Sequence, residues 1–145
     1  MKKTARAVVI GGGVVGVSTL YHLAKMGWSD VVLLERKELT SGSTWHAAGL
    51  LPLFNLSYSV GKLHQYSVAL YPTLEAETGL HAGLSQVTNI RLATTKDRMD
   101  EYHYYAGVAR TIGVDVNFLT PEQVKEIWPL ANMDGVIGAI QHPDD

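Results

Sequence analysis

Near the start of the chain the apolar residues form an unbroken run, Ala7-Val8-Val9-Ile10. They then take helical spacing through Val14, Val17, Leu20, Tyr21, Leu23 and Ala24, and close up again as Val31-Val32-Leu33-Leu34. Continuous apolar runs of this length suit parallel strands covered on both faces, whereas residues three and four apart mark one face of a helix. Gly27 supplies a stop for a helix running from Val14 to Met26. The pattern predicts a β-α-β unit. From Lys37 to Leu56 the periodicity disappears and Ser, Thr and Gly accumulate, which predicts irregular backbone able to wrap closely around a ligand.

Helical spacing returns from Ser57 to Thr78 through Val60, Leu63, Leu70 and Leu74, with Gly79 as the stop. Asn89 to Thr94 alternates Ile90 and Leu92 with polar neighbours as a half-buried strand does. A helix is expected from Lys96 to Ile112, closed by Gly113, and a strand from Val114 to Leu119. Thr120-Pro121-Glu122-Gln123 places an N-cap hydroxyl, a first-position proline and a glutamine at the spacing of a capping box. The short helix so begun reaches Trp128 and stops at Pro129. A last strand is expected over Gly135 to Gln141, after which His142-Pro143-Asp144-Asp145 ends the chain without a terminating element. The expected organisation is residues 1–56 as a first unit with its following loop and residues 57–145 as an α+β continuation. The fold is expected to be truncated.

Composition narrows the class. With 46% hydrophobic and 18% charged residues the 145-residue chain suits a folded globular domain. The 12 basic and 14 acidic side chains leave a formal charge of -2, so nucleic acid is not an expected partner. No cysteine is present, which removes thiolate chemistry and leaves any redox function to a cofactor. The basic start, Lys2, Lys3 and Arg6, precedes an apolar run as in a secretory signal, but Gly11, Gly12 and Gly13 interrupt it. No apolar run is long enough to span a membrane.

Gly11-Gly12-Gly13-Val14-Val15-Gly16 satisfies G-x-G-x-x-G between an expected strand and an expected helix. Its glycines allow the tight turn, backbone approach to a pyrophosphate and close packing of helix on strand, while the helix N-terminus offers N–H donors and positive dipole to the phosphates. Glu35 closes the second strand about twenty residues further on, the position from which a carboxylate accepts from ribose hydroxyls. That carboxylate would repel a 2′-phosphate, so NADP is disfavoured and FAD and NAD both stay open. Arg36 beside it is placed either over an adenine face or in solvent.

The segment Ser41-Gly42-Ser43-Thr44-Trp45-His46-Ala47-Ala48-Gly49-Leu50, joined to Gly11–Gly16 and Glu35-Arg36, resembles the glycine-oxidase and D-amino-acid-oxidase superfamily of flavoproteins. Within it the string Gly-Ser-Thr-Trp-His-Ala-Ala-Gly-Leu is similar to the dimethylglycine and sarcosine dehydrogenase group. The similarity continues through Glu77-Thr78-Gly79, Ile90 to Thr95, Trp128-Pro129-Leu130 and His142 to Asp145. The resemblance implies a Rossmann-like α/β fold, FAD as cofactor and oxidation of an N-methylated glycine by hydride transfer to flavin. It also implies contacts to FAD from Gly11, Gly13, Val14, Val15, Gly16, Glu35, Arg36 and the loop Gly42 to Leu50. In that group the histidine of the string is joined to the flavin 8α carbon, and the matching residue is His46. Neutral imidazole is a competent nucleophile for such a link. Ser43 and Thr44 carry hydroxyls for a phosphate or for nearby backbone.

The resemblance further implies tetrahydrofolate as a one-carbon acceptor in the complete protein and electron-transfer flavoprotein or oxygen as electron acceptor. The expected location is the cytoplasm of a bacterium or the mitochondrial matrix. An NAD-dependent dehydrogenase and a non-catalytic nucleotide-binding fragment are the alternatives. No catalytic base is assigned within the chain, since the resemblance places the substrate domain beyond it. His22, His64, His81, His103 and His142 show no metal-ligand spacing and are expected to be structural. Tyr58, Tyr66, Tyr71, Tyr102, Tyr104 and Tyr105 suit helix-face packing better than an aromatic cage for a methylated amine.

Overall fold

The apolar runs at the start pair as their pattern predicts. In the computed structural model, which describes residues 3–145, β1 (Ala7–Ile10) lies parallel to β2 (Val31–Leu34), with Ala7 opposite Val31 and Ile10 opposite Leu34. Lys2 of the basic start lies outside the described residues. A parallel pair needs a crossover, and α1 (Val14–Lys25) provides it. Arg6 sits over the Trp28 ring at 3.7 Å.

The remaining elements are α2 (Tyr58–Thr78), β3 (Asn89–Ala93), α3 (Lys96–Ile112), β4 (Asn117–Leu119), α4 (Pro121–Ile127) and β5 (Gly138–His142). The three strands form an antiparallel sheet in the order β3-β5-β4. The caps follow from sequence. Thr95 Oγ1 accepts from Arg98 N at the start of α3, and Gly79 and Gly113 end α2 and α3 in left-handed conformation. The capping box of α4 is complete, with Gln123 N donating to Thr120 Oγ1 at 3.3 Å and Thr120 N donating to Gln123 Oε1 at 2.9 Å. The chain is a mixed α/β fold of two compact units, Met1–Leu50 and Leu51–Asp145.

Three expectations need correction. The irregular stretch after Lys37 contains one turn of 3₁₀ helix, Ser43–His46. The strand expected from Val114 begins only at Asn117, because Val114 N still donates to Ala109 O behind α3 and the pairing with β5 covers only 117–119. The last strand is shifted: Gly135 occupies a turn with φ +72 and Val136 N donates to Met133 O, so β5 begins at Gly138 and takes in His142.

The core of the second unit gathers Val68 of α2, Ala93 of β3, Tyr102, Tyr105, Ala109 and Ile112 of α3 and Ile140 of β5. α2 approaches α3 so closely at Gly61 that a Cβ there would lie 2.6 Å from Ile112 Cδ1. Leu53 joins this core through both backbone groups: its N–H donates to Asp145 Oδ1 at 2.7 Å, and its carbonyl accepts from the Tyr105 hydroxyl at 3.2 Å. The same hydroxyl meets Nε2 of His142, which has no exposed surface, at 2.8 Å. Tyr102 and Tyr105 thus serve packing, while Tyr58, Tyr66 and Tyr104 are at least half exposed.

Candidate functional site

The glycine turn between β1 and α1 shows a separate reason for each glycine. Gly11 has φ +106, which a side chain disfavours. Gly13, at the N-cap of α1, would bring a Cβ to 2.9 Å from Thr44 Oγ1. At Gly16 a Cβ would stand 1.9 Å from the Gly11 carbonyl oxygen, so only glycine lets the first turn of α1 sit against the strand exit. Gly12, an unassigned position of the fingerprint, is buried, and a Cβ on it would meet Leu39 Cδ2 at 2.5 Å. Its carbonyl accepts from Thr40 N at 3.0 Å.

Glu35 closes the turn from the second strand. Oε2 accepts from Gly12 N at 2.7 Å and Oε1 accepts from Lys37 N at 2.8 Å. The Gly12 N–H first, then the Lys37 N–H, hold this carboxyl below the usual carboxylate range. Each carboxylate oxygen has a second lone pair, so the group can fix the glycine turn and still accept from a ribose hydroxyl. Glu35→Gln removes the charge and one acceptor oxygen. It is expected to weaken dinucleotide binding roughly tenfold or more, which a fluorescence titration checks.

The loop of Gly42 to Leu50 is brought to the same helix end. Thr44 Oγ1 accepts from Val14 N at 2.9 Å and so takes one of the N–H groups that the first turn of a helix leaves without an internal partner. Val15 and Gly16, also in that turn, have no carbonyl four residues back within α1, which is the donor set an anionic diphosphate requires. Val14 and Val15 are 50% and 77% exposed beside them. Gly42 precedes the Ser43–His46 turn and its carbonyl stands 3.1 Å from His46 Nδ1. The Trp45 and His46 rings lie 4.0 Å apart at 38°. Ala47 leaves the turn extended, and Ala48, Gly49 and Leu50 continue as exposed backbone. Arg36 and Ser43 are exposed too.

The structure therefore brings together Gly11, Gly13, Val14, Gly16, Glu35 and Thr44 and adds Gly12 and Lys37, which the fingerprint spacing did not single out. The signal for Gly12 was present as the middle glycine of three. The signal for Lys37 was absent, because a backbone N–H has no side-chain signature. A narrow turn lined by N–H groups, with no Cβ in the way and one acceptor at its rim, fits a dinucleotide pyrophosphate and its ribose. Among the described residues no group of His, Asp and Glu is placed to hold a metal ion, and no helix is long and apolar enough to cross a membrane.

This is the strand-turn-helix geometry of a Rossmann-like α/β protein. The chain belongs to the FAD dependent oxidoreductase family, whose model matches residues 6–145. It is 47% identical to the mitochondrial dimethylglycine dehydrogenase of Rattus norvegicus over 99% of its length and 17% of that protein's. It is 43% identical to the mitochondrial sarcosine dehydrogenase of Homo sapiens over 100% of its length and 16% of that protein's. Among solved structures it is similar to the L-proline dehydrogenase from P. horikoshii, with a TM-score of 0.91 and 28% identity, over 100% of this chain and 38% of that one. The chain thus spans about a sixth of the length of the two dehydrogenases. The family settles the dinucleotide in favour of FAD over NAD.

Proposed function

We propose that the chain is the FAD-binding N-terminal part of a dehydrogenase that demethylates an N-methylated glycine of the dimethylglycine or sarcosine type, with His46 as its covalent flavin anchor. The observation that carries the anchor is the pairing of His46 Nδ1 with the Gly42 carbonyl. A carbonyl only accepts, so Nδ1 bears the proton and Nε2 keeps its lone pair free. His46 is thereby held as the tautomer that presents a nucleophilic nitrogen away from its own backbone.

Bound FAD would supply a two-electron acceptor for the C–H bond beside the amine nitrogen. The chain's own residues do the holding. Gly11, Gly13 and Gly16 would leave room for the diphosphate, the first-turn N–H groups of α1 would neutralise part of its charge, Glu35 would orient a ribose, and Arg36, exposed beside it, would cover the adenine. With FAD bound, Nε2 of His46 would be the atom that holds the flavin, at its 8α carbon. The overall substrate change consumes water and gives the demethylated amine and formaldehyde, or passes the one-carbon unit to tetrahydrofolate. Electron-transfer flavoprotein or oxygen takes the electrons. The names of the relatives favour the mitochondrial matrix for a eukaryotic parent, and a bacterial parent would work in the cytoplasm.

Denaturing the full-length protein and reading flavin absorbance on the polypeptide tests this function. The expected result is retained flavin in the parent, linked at Nε2 of His46, and flavin found only in the supernatant after His46→Ala. Covalent flavin persisting in His46→Ala would overturn the anchor. NAD bound in place of flavin would overturn the function as a whole.

A further inference from the structure

We propose that Thr44 is a positioning residue whose hydroxyl ties the turn carrying His46 to the N-terminus of α1 and so sets the imidazole for attachment. This rests on the reading of His46 as the flavin anchor. The N-cap residue of α1 is Gly13, which has no side chain to cap with. The cap comes instead from a residue 30 positions away in sequence, with Thr44 Oγ1 accepting from Val14 N at 2.9 Å. Gly13 makes the space for it, since a Cβ there would stand 2.9 Å from that same oxygen.

Thr44 and His46 share one short turn. Ala47 N donates to the Thr44 carbonyl at 3.2 Å across Trp45 and His46, and His46 Nδ1 pairs with the carbonyl of Gly42 at the turn's start. Thr44 is half-buried, whereas Ser43, Trp45 and His46 are exposed, so the threonine is the side chain of the turn that faces its own unit. The loop carries glycine at Gly42 before the turn and at Gly49, with φ +73, after it. Backbone that free needs an external tie to hold one geometry, and one ångström of misplacement at a reacting group is enough to slow a reaction severely. The hydroxyl hydrogen of Thr44 stays available to a phosphate oxygen, so one group can register helix, turn and cofactor together.

The test uses full-length protein produced without flavin and then supplied with FAD, following the covalent fraction with time after acid precipitation. Thr44→Val, nearly the same in shape, is expected to bind FAD but attach it about five- to tenfold more slowly, the factor equivalent to losing one N-cap hydrogen bond. Thr44→Ser keeps the acceptor oxygen and is expected to attach flavin at close to the parent rate. A residue that only stabilised α1 would lower the melting temperature and FAD binding without changing the split between bound and attached flavin. Parent-like attachment in Thr44→Val overturns the proposal, as does slow attachment in a folded Thr44→Ser. Should Thr44→Val not fold, the Thr44→Ser rate decides. Covalent flavin in His46→Ala overturns the anchor itself and is distinguished by that variant alone.

Discussion

Replacing Gly16 by alanine in the full-length protein is expected to lower FAD affinity by about a hundredfold, the loss that follows from withdrawing two hydrogen bonds to a charged group at about 1.5 kcal/mol each. The added Cβ would begin 1.9 Å from the Gly11 carbonyl oxygen, 3.1 Å from its carbon and 3.4 Å from Val9 Cγ1. Two of these atoms are backbone of the turn itself, so no side chain can swing aside. Relief requires α1 to lift from β1 by about an ångström, which withdraws its first-turn N–H groups from the diphosphate. The sign is informative. In an ordinary helix glycine to alanine stabilises by about 0.5 to 1 kcal/mol, because glycine loses more backbone freedom on folding. Gly107 of α3 is the internal control, since a Cβ there meets nothing within 4 Å. Gly107→Ala should raise the melting temperature and leave flavin binding unchanged. Equal behaviour of the two variants in an FAD titration would refute the close approach assigned to Gly16.

The parts of this site that were legible in sequence are those set by local spacing. Gly11, Gly13 and Gly16 stand between an apolar run and a helical pattern, and Glu35 ends the next run, so backbone chemistry places them before any tertiary contact forms. Gly12 pairing with Glu35 and Thr44 capping α1 were not legible. Their partners are 23 and 30 residues apart in sequence, and hydroxyl or carboxylate partners at such range leave no periodic trace. The loop around His46 was intelligible only through resemblance, since Ser, Thr and Gly in succession specify no single backbone.

The second unit divides the same way. Caps and glycine stops located α2, α3 and α4 closely, because these signals are local. The strands were displaced at their ends, because pairing limits them: β4 is three residues long as only 117–119 find partners on β5. His142 shows the limit most clearly. The expected strand stops at Gln141, one residue short of it, yet His142 pairs with Asn89 in the sheet and has no exposed surface. Its partner, the Tyr105 hydroxyl, comes from a helix that sequence places 37 residues earlier.

That burial predicts an acid-sensitive second unit. Burial first, and then the nearby Arg91 charge, push the His142 pKa from 6.5 down to about 4. The unfolded chain therefore takes up a proton near 6.5 that the folded chain refuses until about 4. Since stability rises with pH wherever the unfolded state binds more protons, the contribution of His142 is complete above 6.5 and is lost progressively as pH falls toward 4. Its size is about 3 kcal/mol. Asp145, packed on the same side, acts in the opposite direction. Burial raises its folded pKa above 3.8, so it gains a proton in the folded state first and offsets part of the loss at the acid end. His142→Gln keeps a polar partner for the Tyr105 hydroxyl and cannot titrate, which isolates the histidine from Asp145. Urea midpoints taken at about pH 7 and about pH 4.5 should fall clearly less for His142→Gln than for the parent. The buried neutral histidine is excluded if the two proteins lose stability in parallel as the solution is acidified.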